Sequence, residues 1–246
     1  MIASNFNNSA PAFPIKVRRS IAYILLPALL WIIAVFARSI FVSLRCGLQP
    51  GLCTADSVLW IDRFALGQNN PNADGLSFIA QNVTGVLSFV AVLSLCGVEL
   101  VRSKATLGQS LGKLTLWIKA VLWTGFLTEL ARLVVQRPRP FVYNDPHVLG
   151  MNPAHYVSFF SGHTSFATAS GVIAILLLRD QRLPKPIFFG FSCIIGILIL
   201  TTGACRILSG RHFLTDVVAA FLAGASVAWI VHRKGASFER GISHAG

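Results

Sequence analysis

The sequence predicts an all-α fold, a bundle of six membrane-spanning helices with a short interfacial helix in the first outer loop. Three observations predict it. Of 246 residues, 54% are hydrophobic and only 12% charged, about half the charge of a typical soluble domain, which carries roughly 25%. The apolar residues gather into six runs, each close to the length of about 20 residues that crosses a bilayer. Basic residues cluster at alternate ends of those runs, as topology anchors do.

The first run spans about 20–43, the second 77–100 and the third 114–135. The fourth spans 162–178, the fifth 187–205 and the sixth 212–232. The first is long for a signal-peptide core and no small-residue cleavage site follows it, so it reads as a retained span. Three outer loops then cover about 44–76, 136–161 and 206–211. In the first of these, Thr54 or Asp56 would cap a short helix with apolar residues on one face, Trp60 suiting the headgroup zone. An ordinary packed loop helix is the alternative there. Asp74-Gly75 marks a turn before the second span. Cys46 and Cys53 share the first outer loop, where a disulfide would persist. Cys96, Cys193 and Cys205 fall in or at the ends of spans and read as small buried hydrophobes.

The net charge of +12 and a pI near 10.3 would point to nucleic acid in a soluble protein. Here no basic face with interleaved aromatics supports that partner. Lys16, Arg18 and Arg19 precede the first span. Arg102, Lys104 and Lys113 separate the second from the third, and Arg179, Arg182 and Lys185 the fourth from the fifth. Arg233, Lys234 and Arg240 follow the sixth. If the spans alternate, all four groups share the cytoplasmic side. The organisation is therefore a cytoplasmic tail over 1–19, a six-span domain over 20–232 and a second cytoplasmic tail over 233–246.

Charges inside spans are costly and mark functional sites. Arg132 lies near the outer end of span three, and Arg137-Pro138-Arg139-Pro140 follows it. Ser161-Gly162-His163 opens span four, Arg206 closes span five, and His212 and Asp216 open span six. The topology, assigned from other residues, carries all these clusters to the outer face. Arg132, Arg139 and Arg206 suit phosphate oxygens. Ser161 and Gly162 start a helix, where backbone N–H groups favour an anion and a glycine permits close approach. His212 and Asp216, four residues apart, share a helix face, so the carboxylate can orient the imidazole. Together these residues describe a metal-independent phosphoryl-transfer site, without cofactor and without any Cys/His spacing for zinc.

The pattern Arg132-x6-Arg139-Pro140, Ser161-Gly162-His163 and Arg206-x5-His212-x3-Asp216 resembles the type 2 phosphatidic-acid phosphatase superfamily over about residues 125–230. The resemblance implies that His212 attacks phosphorus to form a phosphohistidine with Asp216 in support. It implies that His163 protonates the leaving oxygen, and that Arg132, Arg139, Arg206, Ser161 and Gly162 hold the transferring group. It further implies a bacterial lipid phosphatase of the inner membrane, both termini cytoplasmic and the site facing the periplasm. Phosphatidylglycerophosphate, phosphatidic acid, undecaprenyl diphosphate and lipid A phosphates all suit it, as phosphorylated lipid partners within the bilayer. The family usually has Lys where Arg132 stands, Pro for Phe160 and Ser for Cys205. Arg137-Pro138 is out of register, since its seventh preceding residue is Leu130.

Other polar residues read more plainly. Glu129 would pair with Arg132 at i, i+3 and hold it, or face a water-filled cavity. Lys119 is a snorkelling anchor. Tyr143, Asp145, His147 and His155 read as loop residues, with headgroup recognition as the alternative, and Arg211 is a headgroup contact candidate. A lipid phosphotransferase would use the same residues. A lipid transporter is the rival of another class, but it would spread charges through the bilayer depth.

Overall fold

Helices account for the regular structure of the described residues. The computed structural model describes residues 15–102, 106–181 and 183–243, with side chains at 23–102, 106–108, 110–181 and 183–235. Six long helices appear there: α1 (Ile15–Ile40), α3 (Pro71–Val101), α4 (Leu107–Val135), α6 (Gly162–Asp180), α7 (Lys185–Leu208) and α8 (Leu214–Ser243). Two single-turn helices, α2 (Arg45–Leu48) and α5 (Pro146–Leu149), lie in the connections. Each predicted run coincides with one long helix. Four segments are long and apolar enough to cross a membrane: Tyr23–Leu48, Pro71–Val101, Lys185–Leu208 and Leu214–Gly235. Leu25, Phe36, Phe78, Leu93, Ile197, Leu200 and Leu222 are exposed along them, a density of outward apolar side chains that suits lipid and not water.

Helix α6 is the centre, packed against α3, α4, α7 and α8, while α1 packs on α4. Its composition explains the position. Thr164, Ser165, Ala167, Thr168, Ala169, Ser170 and Gly171 are all buried, and small side chains let neighbouring backbones approach. Their hydroxyls are satisfied within the bundle: Thr168 and Ser170 donate to carbonyls one turn back, and Ser165 shares a 3.0 Å bond with Thr128 of α4.

Helix starts carry their expected chemistry. Asn70 caps α3, its side chain accepting from Ala73 N–H at 3.1 Å with Pro71 in the first turn. The turn expected at Asp74-Gly75 is therefore absent: Asp74 lies in the first turn of α3 and Gly75 just after it, because the Asn70-Pro71 signal starts the helix earlier. Ser161 caps α6 in the same manner.

The first long connection is not one amphipathic helix. It forms 3-10 turns at Pro50–Leu52, Ala55–Ser57 and Trp60–Ala65, and neither Thr54 nor Asp56 caps by its side chain. Trp60 points outward, 81% exposed, while Asp62 is fully buried. Cys46 and Cys53 are disulfide-bonded and pack on Val142 and Tyr156. Cys96 and Cys205 are buried; Cys193 is exposed on the outward side of α7, contrary to the expectation for it.

The basic anchors Arg102, Lys113, Arg179, Lys185, Arg233 and Lys234 belong to helix ends opposite those holding Arg132, His163 and Arg206. Lys104 and Arg182 lie outside the described residues, as do the side chains of Lys16, Arg18, Arg19 and Arg240. Lys119 sits 5.2 Å above the Tyr23 ring of α1.

A Cβ added to Gly224 on α8 would meet the Ser165 carbonyl oxygen at 2.6 Å, whereas one on Gly97 of α3 would meet nothing within 4 Å. Gly224→Ala is expected to destabilise the bundle by about 1–3 kcal/mol through forced separation of α6 and α8. Gly97→Ala should be neutral or slightly stabilising, and thermal unfolding of both in detergent checks the contrast.

Candidate active site

One end of the bundle gathers the polar residues singled out from the sequence. Arg132 comes from the last turn of α4, Arg139 from the loop that follows, and Ser161, Gly162 and His163 from the start of α6. Arg206 lies in the last turn of α7, with His212 and Asp216 at the entry to α8. Arg139, His163 and Arg206 line a cavity of about 430 Å³, together with Arg211 and with Asp74 and Phe78 of α3.

Arg132 and Arg206 are each gripped on one edge by a carboxylate and left open at Nε. Glu129 accepts from Arg132 Nη1 at 2.6 Å. The other carboxylate oxygen of Glu129 lies 2.7 Å from Nε of Arg38 at the end of α1. Asp74 accepts from Arg206 Nη1 and, at 3.0 Å, from Arg211 Nη2, while Ser77 contacts Arg206 Nη1 at 3.4 Å. The Nε atoms of Arg132, Arg139 and Arg206 are buried and have no hydrogen-bond partner among the described residues. Leaving a buried charged donor unmatched costs free energy, and an anion is the kind of group that would satisfy these three. Arg139 shows the strain in its acidity: burial, with Arg206, Arg132 and Arg211 close by, pulls its guanidinium down to about 9.

Gly162 stands where Arg132 passes over the start of α6. A Cβ there would lie 2.7 Å from Arg132 Nη2, so any larger residue would have to push the guanidinium off the helix N-terminus. The Ser161 hydroxyl accepts from Thr164 Oγ1 at 3.0 Å and caps the helix.

His212 is fully buried. Its Nδ1 lies 2.7 Å from the Ser158 carbonyl oxygen, which can only accept, so Nδ1 carries the proton. Nε2 has no partner among the described residues. A second proton there would be an unpaired buried cation close to Arg206, Arg139 and Arg132, so the atom holds a lone pair. The carboxylate of Asp216 is 3.9 Å from Nδ1 and does not hydrogen-bond it directly. Its Oδ2 accepts from the Ser158 hydroxyl at 2.5 Å and from Phe213 N–H at 2.9 Å, and its Oδ1 from Arg137 at 2.6 Å. Direct orientation of His212 by Asp216, expected from their spacing, is thus replaced by orientation through Ser158.

The sequence reading missed Ser158, Asp74, Arg38 and the role of Arg137. Ser158 offers no local signal, Asp74 read as a turn residue, and Arg137 was set aside by register. Of the loop residues, Asp145 caps α5, His155 bonds the Leu149 carbonyl at 2.7 Å and Tyr143 packs on Phe213. These contacts are architectural. Among the described residues, no group of three or more His, Cys, Asp or Glu side chains is placed to hold a metal ion.

A family model described as PAP2 superfamily matches residues 113–238, just over half the chain, from α4 through α8. No curated protein and no solved structure matches the chain.

Gly162→Ala is expected to displace Arg132 and weaken inorganic-phosphate binding on the order of tenfold, about the contribution of one charge-assisted hydrogen bond. The shift in thermal midpoint with phosphate concentration measures it; unchanged affinity would place the anion away from Arg132.

Proposed function

The chain belongs to the PAP2 superfamily, and from that premise we propose that it is an integral-membrane lipid phosphatase working through a phosphohistidine. Membership by itself suggests phosphatase activity, and the apolar helices suggest a membrane protein. The observation that carries the finer reading is the convergence of three unpartnered arginine Nε donors with one unpartnered histidine lone pair, all buried at one end of the bundle. Donors and nucleophile are what transfer of a phosphoryl group needs, since positioning and charge stabilisation supply most of its catalysis.

The steps follow from the residues. His212 Nε2 attacks phosphorus in line with the bond to the lipid oxygen, the P–O bond breaks, and His163, protonated once the substrate phosphate offsets the neighbouring arginines, donates that proton to the leaving oxygen. Arg132, Arg139, Arg206 and the N-terminus of α6 hold the equatorial oxygens. Water then attacks the phosphohistidine, giving its proton to His163, and inorganic phosphate leaves. The neutral His212 tautomer, with its proton on Nδ1, supports attack by Nε2. No step calls on a metal.

In this reading all six long helices cross the membrane, and both termini lie in the cytoplasm. The anchors at the helix ends opposite the site support that orientation, which turns the cavity to the exterior or periplasmic face. Substrate enters sideways, its chains in lipid and its phosphate among the arginines. Phosphatidylglycerophosphate, phosphatidic acid, undecaprenyl diphosphate and lipid A phosphates are the candidate substrates.

Purified protein in detergent with EDTA should release phosphate from at least one of these four lipids. His212→Ala should cut that turnover by more than about a thousandfold, as loss of a nucleophile does, while remaining folded. Retained turnover in the variant would rule out the phosphohistidine. Consumption of lipid with little free phosphate would redirect the reading to phosphoryl transfer between lipids.

A further inference from the structure

Arg137 stands two residues before Arg139, yet its surroundings are different. Its Nη2 donates to Asp62 Oδ2 at 2.8 Å, and its Nη1 to Asp216 Oδ1 at 2.6 Å and Thr215 Oγ1 at 2.8 Å. Its guanidinium carbon lies 3.9 Å from the centre of the Phe213 ring. Two carboxylates and an aromatic face satisfy this cation, whereas Arg139 lines the cavity with an unmatched Nε.

Asp62 is fully buried and comes from the first long connection, far from α8 in sequence. Besides Arg137 it accepts from Thr215 N–H at 2.9 Å and from the Thr215 hydroxyl at 2.6 Å, so it closes the first turn of α8. Arg137 also holds Ser158 by its backbone, since its carbonyl accepts from Ser158 N–H at 3.0 Å. Ser158 is therefore held on two sides: its N–H by the Arg137 carbonyl, its hydroxyl by the carboxylate that Arg137 grips. The Ser158 carbonyl is the acceptor that keeps the His212 proton on Nδ1.

We infer that Arg137 and Asp62 are positioning residues for the nucleophile: they hold Asp216 and Ser158 so that His212 presents its Nε2 lone pair to phosphorus. Arg137 does not touch the phosphate. The inference rests on the phosphohistidine reading above. It predicts a separation between two ligands. Orthovanadate gains by bonding to the histidine nitrogen, so its affinity depends on the orientation of His212. Inorganic phosphate is held by Arg132, Arg139 and Arg206 and needs no such bond.

Binding of both ligands to wild-type, Arg137→Ala, Asp62→Ala and the double variant tests this, read from ligand-dependent thermal midpoints in detergent. Arg137→Ala is expected to lose on the order of tenfold or more in vanadate affinity, the scale of one hydrogen bond to a charged group, with phosphate affinity unchanged. Asp62→Ala should act in the same direction, and the double variant should cost less than the two single losses combined, as partners in one network do. Arg137→Lys, which keeps the charge but not the forked geometry, should recover only part of the loss. Equal losses of both ligands would make Arg137 a phosphate ligand and overturn the inference. So would unchanged vanadate affinity, or fully additive losses. A wild-type protein that binds vanadate but hydrolyses no lipid would overturn the hydrolase reading alone. Wild-type protein that binds phosphate no more weakly than vanadate would remove the phosphohistidine and the inference with it. Where Arg137→Ala does not fold, Arg137→Lys and Asp62→Ala carry the same comparison.

Discussion

Three guanidinium groups crowded together at one end of a helix bundle are the constraint on which the rest of this structure depends. Like charges in a poorly hydrated place repel and lose solvation, so none would stay without compensation. The chain compensates by half-measures. Glu129 and Asp74 each grip one edge of an arginine and leave Nε bare. Full pairing would leave nothing for a ligand; no pairing would drive the cations apart. The arrangement is paired enough to form and still leaves three buried donors unmatched.

Those carboxylates tie the site to helices beyond the matched family segment. Asp74 brings α3 to Arg206, and Arg38 brings α1 to Glu129 and so to Arg132. The segment from 113 to 238 holds the arginines and histidines of the candidate site, but the geometry of two of its arginines depends on residues that precede it. Helix α6 makes the same point by packing. Its small buried residues admit four neighbours, and close approach brings the ends of α4, α7 and α8 to the start of α6.

The histidine is set by a different device. In a low-dielectric interior a carbonyl oxygen settles a tautomer as firmly as a carboxylate does, without adding a charge. Ser158 supplies that oxygen to His212, leaving Asp216 to hold Ser158, the Phe213 N–H and Arg137. The negative charge is kept one residue away from the imidazole and is spent on architecture.

What the sequence determined by itself was whatever is local or periodic. Helix runs follow from twenty-residue apolar stretches, so the helices were legible to within several residues at their ends, except that α8 continues past 232 to Ser243, through most of the segment read as a tail. The candidate site followed from motifs at helix ends that a shared topology must bring together. Even the i, i+3 pairing of Glu129 with Arg132 could be read, because it lies within one helix. Tertiary structure alone decided the contacts between distant segments. Arg137 and Arg139 differ by two positions and share a residue type; only the neighbours that folding supplies, Asp62 and Asp216 for one and an open cavity for the other, tell them apart. Asp74 looked like a turn until a cap four residues earlier placed it in a helix facing Arg206. Ser158 has no pattern at all, since its part is played by a backbone carbonyl, and every residue has one of those. Side-chain types announce what chemistry is available, but which buried charge meets which partner is settled by packing between segments far apart in the chain.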